Sequence, residues 1–123
     1  MPTVLDTQAT YKKLDPDGAG DSVTLLPEQC LQAWSEVGTL SLPKSYRGLD
    51  RVVVCGMGGS GLGAHMIKST FGPEMKVPFE ILNDYTLPRW VNNKTLVMAV
   101  TYSGGTEEAL TMFKEAVNRK AKV

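Results

Sequence analysis

The sequence predicts an α/β fold: a three-layer sandwich in which a short parallel sheet lies between helices. Three observations predict it. Strand-like runs at Val52–Cys55, Val77–Leu82 and Thr95–Thr101 alternate with segments of helical periodicity. The first run, Val52-Val53-Val54-Cys55, is continuously apolar and mostly β-branched, as strands buried on both faces are. Two of the three runs end in glycine clusters, at Gly56–Gly61 and at Gly104-Gly105. Strand, loop and helix repeating in this way require right-handed crossovers and helices on the sheet faces.

In chain order, residues 1–25 hold few apolar side chains and include the turn-forming cluster Asp15-Pro16-Asp17-Gly18-Ala19-Gly20. They are expected to form a flexible N-terminal arm around a weak Thr7–Leu14 helix. Pro27 suits the first turn of a helix in which Cys30, Leu31, Trp34 and Val37 recur at helical spacing up to Gly38, and this helix is expected to cover a sheet face. After the first strand, Leu62, Met66, Ile67 and Phe71 mark a helix stopped by Gly72-Pro73. Pro78 places the second strand at an edge or assigns Pro78 to its start. Leu110, Met112, Phe113 and Val117 mark a last helix running to about Arg119, and Lys122-Val123 reads as the first step of a fourth strand. Residues 26–123 are therefore read as one domain, cut at the start of that strand.

Composition narrows the functional classes. Lys plus Arg and Asp plus Glu balance at 13 each in 123 residues, so no net charge calls for nucleic acid or an anionic membrane. The basic residues Lys114, Arg119, Lys120 and Lys122 near the end suit a helix C-terminus. Met1–Gly20 lacks the basic start and apolar stretch of a secretory signal, and a cytoplasmic location is expected. Cys30 and Cys55 have neither metal nor redox spacing and read as reduced, structural thiols.

Ligands of parallel sheets collect beyond the C-terminal strand ends, where both glycine clusters fall. The loop Gly56-Met57-Gly58-Gly59-Ser60-Gly61 precedes a helix N-terminus, whose unpaired N–H groups and dipole favour an anion. Alone it also fits a tight turn in which Ser60 caps its helix, or a dinucleotide site, since Gly56, Gly58 and Gly61 spell G-x-G-x-x-G and Asp84 follows the second strand. The second loop, Thr101-Tyr102-Ser103-Gly104-Gly105-Thr106, adds three hydroxyls at another helix start. Together the loops can hold a phosphate monoester without a buried Lys or Arg, although the hydroxyls also suit capping. Glu107 and Glu108 fit the first turn of the last helix as solvated acids. His65, the only histidine, reads as a surface or packing residue, and Lys68 and Arg89 as solvated charges.

These two loops, with Asn83-Asp84-Tyr85 and Leu87-Pro88 between them, resemble the first SIS (sugar isomerase) domain of the bifunctional phosphoglucose/phosphomannose isomerases, over roughly Leu26–Val123. The resemblance implies aldose–ketose isomerisation between glucose 6-phosphate or mannose 6-phosphate and fructose 6-phosphate, through an enediolate and with no cofactor or metal. It implies substrate contacts from Gly58, Gly59 and Ser60, and phosphate contacts from Thr101, Ser103 and Thr106. Thr101 stands where the family usually has Ser, and Gly105 where it usually has Asn. The family's catalytic Glu, His and Lys match no residue of this chain, so the chain is expected to supply substrate binding alone and to be inactive by itself. A second copy or a partner chain would then complete it. The competing readings are an NAD(P)-binding Rossmann domain and a non-catalytic phosphosugar-sensing SIS module.

Overall fold

A computed structural model describes residues 7–123, so the first six residues of the expected arm lie outside the described residues. The chain divides into two compact units, one ending at Leu42 and one running from Pro43 to Val123.

The first unit is helical: α1 (Gln8–Leu14), α2 (Ala19–Thr24) and α3 (Leu26–Gly38). The turn-forming cluster does end α1, and it also starts α2, because the Asp15 carboxylate accepts the N–H groups of Ala19 at 2.8 Å and Gly20 at 2.6 Å. Those bonds to the charged form hold the Asp15 pKa below the ordinary carboxylate value. Helix α3 forms where Pro27 and the apolar spacing place it. Leu31, Trp34 and Val37, which mark its apolar stripe, are exposed, Trp34 at 81%. Periodicity reports that a helix has an apolar face and says nothing of what meets that face. Cys30 is likewise exposed, whereas Cys55 is buried, as a structural thiol should be.

The second unit is the α/β part, with β1 (Arg51–Cys55), α4 (Gly59–Phe71), β2 (Phe79–Leu82), β3 (Thr95–Ala99) and α5 (Glu107–Asn118). The strands are parallel in the order β2-β1-β3, so the β-branched run forms the central strand. Pro78 immediately precedes β2, an edge strand, and its carbonyl accepts the Val52 N–H. Cys55 stands opposite Leu82 on one side and Ala99 on the other. The three strands therefore finish level, and the segments leaving them start side by side.

Val53 and Cys55 face a core completed by Val97, Leu87, Val91, Met112 and Ala116. Leu87 and Val91 belong to the 83–94 connection, which has no helix of its own and fills this face with side chains instead. Helix α4 packs on β1 and β2 through Gly61 and Ala64, its buried residues. Leu62, Met66, Ile67 and Phe71, which reveal α4 in the sequence, stay exposed.

The end of α5 directs the chain back to the sheet. The N–H of Ala121 reaches the Ala116 carbonyl at 3.0 Å and that of Lys120 reaches Val117 at 2.9 Å, a Schellman turn. Lys120 takes the left-handed position with φ of 59°. Residue 122 then pairs in parallel with Leu96: Val97 donates to the Lys122 carbonyl at 2.7 Å and Lys122 donates to Thr95 at 2.9 Å. The fourth-strand start expected at Lys122-Val123 is present as this bridge. A lysine in the left-handed region is disfavoured by about 1 kcal/mol relative to glycine. Lys120→Gly is expected to raise unfolding free energy by that amount in urea denaturation, with an unchanged m-value.

Candidate functional site

The site is assembled where β1 and β3 end. The last ladder bond between them runs from the Val100 N–H to the Cys55 carbonyl at 2.8 Å, and the two loops diverge immediately beyond it. Because β1 feeds α4 and β3 feeds α5, two helix N-termini of 13- and 12-residue helices begin from this end of the sheet.

In the first loop the outer glycines serve packing. A Cβ on Gly61 would lie 2.8 Å from the Gly56 carbonyl oxygen, and one on Gly56 would lie 2.9 Å from the Ser60 carbonyl oxygen. The two residues touch backbone to backbone, which closes the strand–helix turn. Gly58 occupies the N-cap of α4 with φ 54° and ψ −127°, a conformation in practice reserved for glycine. Around Gly58 and Gly59 nothing stands within 4 Å of a hypothetical Cβ, so the middle of the loop is open to solvent. Ser60 lies inside the helix and its amide bonds to the Met57 carbonyl. The Gly58 and Gly59 amides make no such bond among the described residues. No side chain caps α4, so the capping role that the sequence allows Ser60 is not taken.

The second loop gathers its three hydroxyls. Thr101 Oγ1 lies 2.8 Å from Thr106 Oγ1, and Ser103 Oγ lies 3.4 Å from each of them. Two loop amides turn onto the same cluster, Gly104 donating to Thr101 Oγ1 and Gly105 to Ser103 Oγ, both at 3.2 Å. Thr106 stands at the N-cap of α5 without making a capping bond. The amides of the first turn of α5 are thus left without a side-chain partner, next to rotatable hydroxyls that can donate to an anion. Tyr102, between Thr101 and Ser103, is fully exposed and takes no part in the cluster.

The neighbouring charges are engaged elsewhere. Glu108 and Glu107 face the Tyr85 hydroxyl, and their negative charge pushes its pKa up. Asp84 accepts the Tyr85 N–H at 2.6 Å. Glu115 accepts the Leu87 N–H at 2.7 Å and pairs with Arg119, whose guanidinium also donates to the Leu87 carbonyl. Burial raises the Cys55 thiol to about 11, which removes it as a nucleophile. His65, Lys68 and Arg89 are exposed. A separate cleft of about 380 Å3, lined by Lys68, Met75, Lys76 and Phe79, opens at the start of β2, the opposite end of the sheet from the two loops.

One residue of the site, Asn83, enters the sequence analysis only as part of the connecting stretch, with no role assigned to it. Asn83 donates from Nδ2 to the Gly56 carbonyl at 2.6 Å and so ties the segment after β2 to the first loop. Its signal was positional: it is the first residue past β2, and β2 ends beside Cys55.

The curated proteins that the chain matches share one description, bifunctional phosphoglucose/phosphomannose isomerase. The relative from Caldicellulosiruptor bescii is 37% identical over 103 residues, covering 84% of this chain and 30% of its own. Its homologues are the bifunctional phosphoglucose/phosphomannose isomerases. Those from Thermoplasma acidophilum and Aquifex aeolicus are 32% and 39% identical, over 80% and 72% of this chain. The chain spans 27–33% of the length of these three isomerases. No family model matches the chain, and no solved structure matches it significantly. No helix among the described residues is long and apolar enough to cross a membrane.

Proposed function

We propose that this chain is the sugar-phosphate-binding part of a phosphoglucose/phosphomannose isomerase, corresponding to the front of its first SIS domain, with residues 26–123 forming that partial domain. The observation that carries the reading is the hydroxyl cluster of Thr101, Ser103 and Thr106 at an uncapped helix N-terminus, level with the open Gly58-Gly59 turn. In this reading the phosphate of fructose, glucose or mannose 6-phosphate accepts hydrogen bonds from those hydroxyls and from the first-turn amides of α5. Gly58, Gly59 and Ser60 contact the sugar. Two helix dipoles supply the positive field, so no cationic side chain is required.

Isomerisation moves a proton between adjacent carbons and needs a base held beside them. Of the acids near the loops, Asp84 accepts a backbone amide, Glu115 bonds to Leu87 and Arg119, and Glu107 and Glu108 suit the first turn of α5 as charges that favour its dipole. The polypeptide therefore binds substrate and does not turn it over alone. Catalysis requires a Glu, His and Lys supplied by further sequence, a second copy or a partner chain. The activity belongs to carbohydrate metabolism in the cytoplasm, and nucleic acid and membranes are not partners.

Calorimetric titration separates this reading from its rivals. Fructose 6-phosphate is expected to bind and NAD to give no heat. Tight NAD binding would favour the dinucleotide reading instead, and conversion of fructose 6-phosphate by the purified 123-residue polypeptide would overturn the assignment as a binding part.

A further inference from the structure

We propose that Asn83 is a positioning residue for the glycine loop, fixing the Gly56 peptide so that the Gly58 and Gly59 amides point away from the sheet toward an incoming anion. The ligand in this proposal is the phosphosugar of the preceding section, and to that extent it rests on that reading. The argument starts from register. Leu82 pairs with Cys55, so the next residue on each strand, Asn83 and Gly56, leave the sheet together. Asn83 Nδ2 donates to the Gly56 carbonyl at 2.6 Å. The same oxygen sits only 2.8 Å from where a Gly61 Cβ would be. The carbonyl is held between a donor on one side and the first turn of α4 on the other. A peptide unit is planar, so fixing this oxygen fixes the N–H of Met57 and the entry into the turn.

Asn83 is itself held. Two residues on, Tyr85 faces Glu107 and Glu108 in the first turn of α5. Four residues on, the Leu87 N–H bonds to Glu115 of the same helix. The segment after β2 is thus fastened to the helix that carries the hydroxyl loop, while Asn83 fastens it to the glycine loop. One short segment sets the spacing between the two halves of the cradle.

The test compares Asn83→Asp, which keeps the shape and turns the donor into an acceptor facing another acceptor, with Asn83→Ala. Amide hydrogen exchange is read at Ser60 and Gly61, whose N–H groups close the turn, and at Val53 and Val97 in the sheet. Exchange at Ser60 and Gly61 is expected to rise about tenfold in the 123-residue protein without ligand, with Val53 and Val97 unchanged. Affinity for fructose 6-phosphate is expected to fall about tenfold. If Asn83→Asp does not fold, Asn83→Ala carries the same comparison. Unchanged exchange at the turn, or an equal rise throughout the sheet, overturns the proposal. A local rise in a protein whose wild type binds no fructose 6-phosphate leaves Asn83 as the positioning residue and overturns the phosphosugar reading alone.

Discussion

Gly61→Ala is expected to destabilise the α/β unit by about 2 kcal/mol, even though alanine is the better helix former. Gly61 lies in the first turn of α4, where an added methyl would gain about 1 kcal/mol of helix propensity were there room for it. There is none, because the new Cβ would stand 2.8 Å from the Gly56 carbonyl oxygen. That oxygen is backbone and is also bonded by Asn83, so neither neighbour can swing aside. Relief requires α4 to move off β1, which exposes Ala64, buried on the sheet-facing side of that helix. Gly63→Ala is the control. It lies in the same helix with nothing within 4 Å, and it is expected to raise stability by about 1 kcal/mol. Urea denaturation of the two variants should therefore move the midpoint in opposite directions. Equal shifts would mean that the Gly56–Gly61 contact does not constrain the turn.

The contrast between these glycines shows what the sequence can and cannot say. Gly56, Gly58 and Gly61 spell a pattern shared by dinucleotide and phosphate sites, and the spelling does not distinguish a packing glycine from a ligand-facing one. The structure does: Gly56 and Gly61 press on each other, while Gly58 and Gly59 face open space. The strands were legible because buried sheet positions demand apolar runs: β1 is the run at Val52–Cys55 extended by Arg51, and β3 falls inside the run at Thr95–Thr101. Their pairing order follows less directly, and the register that sets Asn83 beside Gly56 comes only from the assembled sheet. Long-range polar ties such as Glu115 to Leu87 join residues 28 apart and leave no periodic trace. Lys120 at a left-handed position was hidden for the opposite reason, since the usual marker of that site is glycine or asparagine. The apolar stripe that marks α3 is itself exposed, because periodicity identifies a helix face and not what meets it. Leu62 and Phe71 teach the same lesson on α4: the small residues Gly61 and Ala64 make the sheet contact, and the large ones that reveal the helix do not.

The hydroxyl cluster offers the second large effect. Thr101→Val preserves shape and branching while removing the oxygen nearest Thr106, the one that also accepts the Gly104 amide. If the cluster holds a phosphate, this change removes one hydrogen bond to a charged ligand and frees the amide and the Ser103 hydroxyl that were organised around it. A bond to a charged group contributes about 1.5–3 kcal/mol, so affinity for fructose 6-phosphate is expected to fall about a hundredfold. Fold stability should change by about 1 kcal/mol or less, because Thr101 is only partly buried and lies beyond the end of β3. Tyr102→Ala provides the reference, since that side chain is fully exposed between the two hydroxyl residues and bonds to neither. It should leave affinity within about twofold. The two variants together separate a cradle from a capping loop. Were the hydroxyls there only to shape the turn, Thr101→Val would lower the thermal midpoint and leave whatever affinity the chain has for phosphosugars unchanged. A large loss of affinity with a small loss of stability is the signature of hydroxyls whose partner is the ligand.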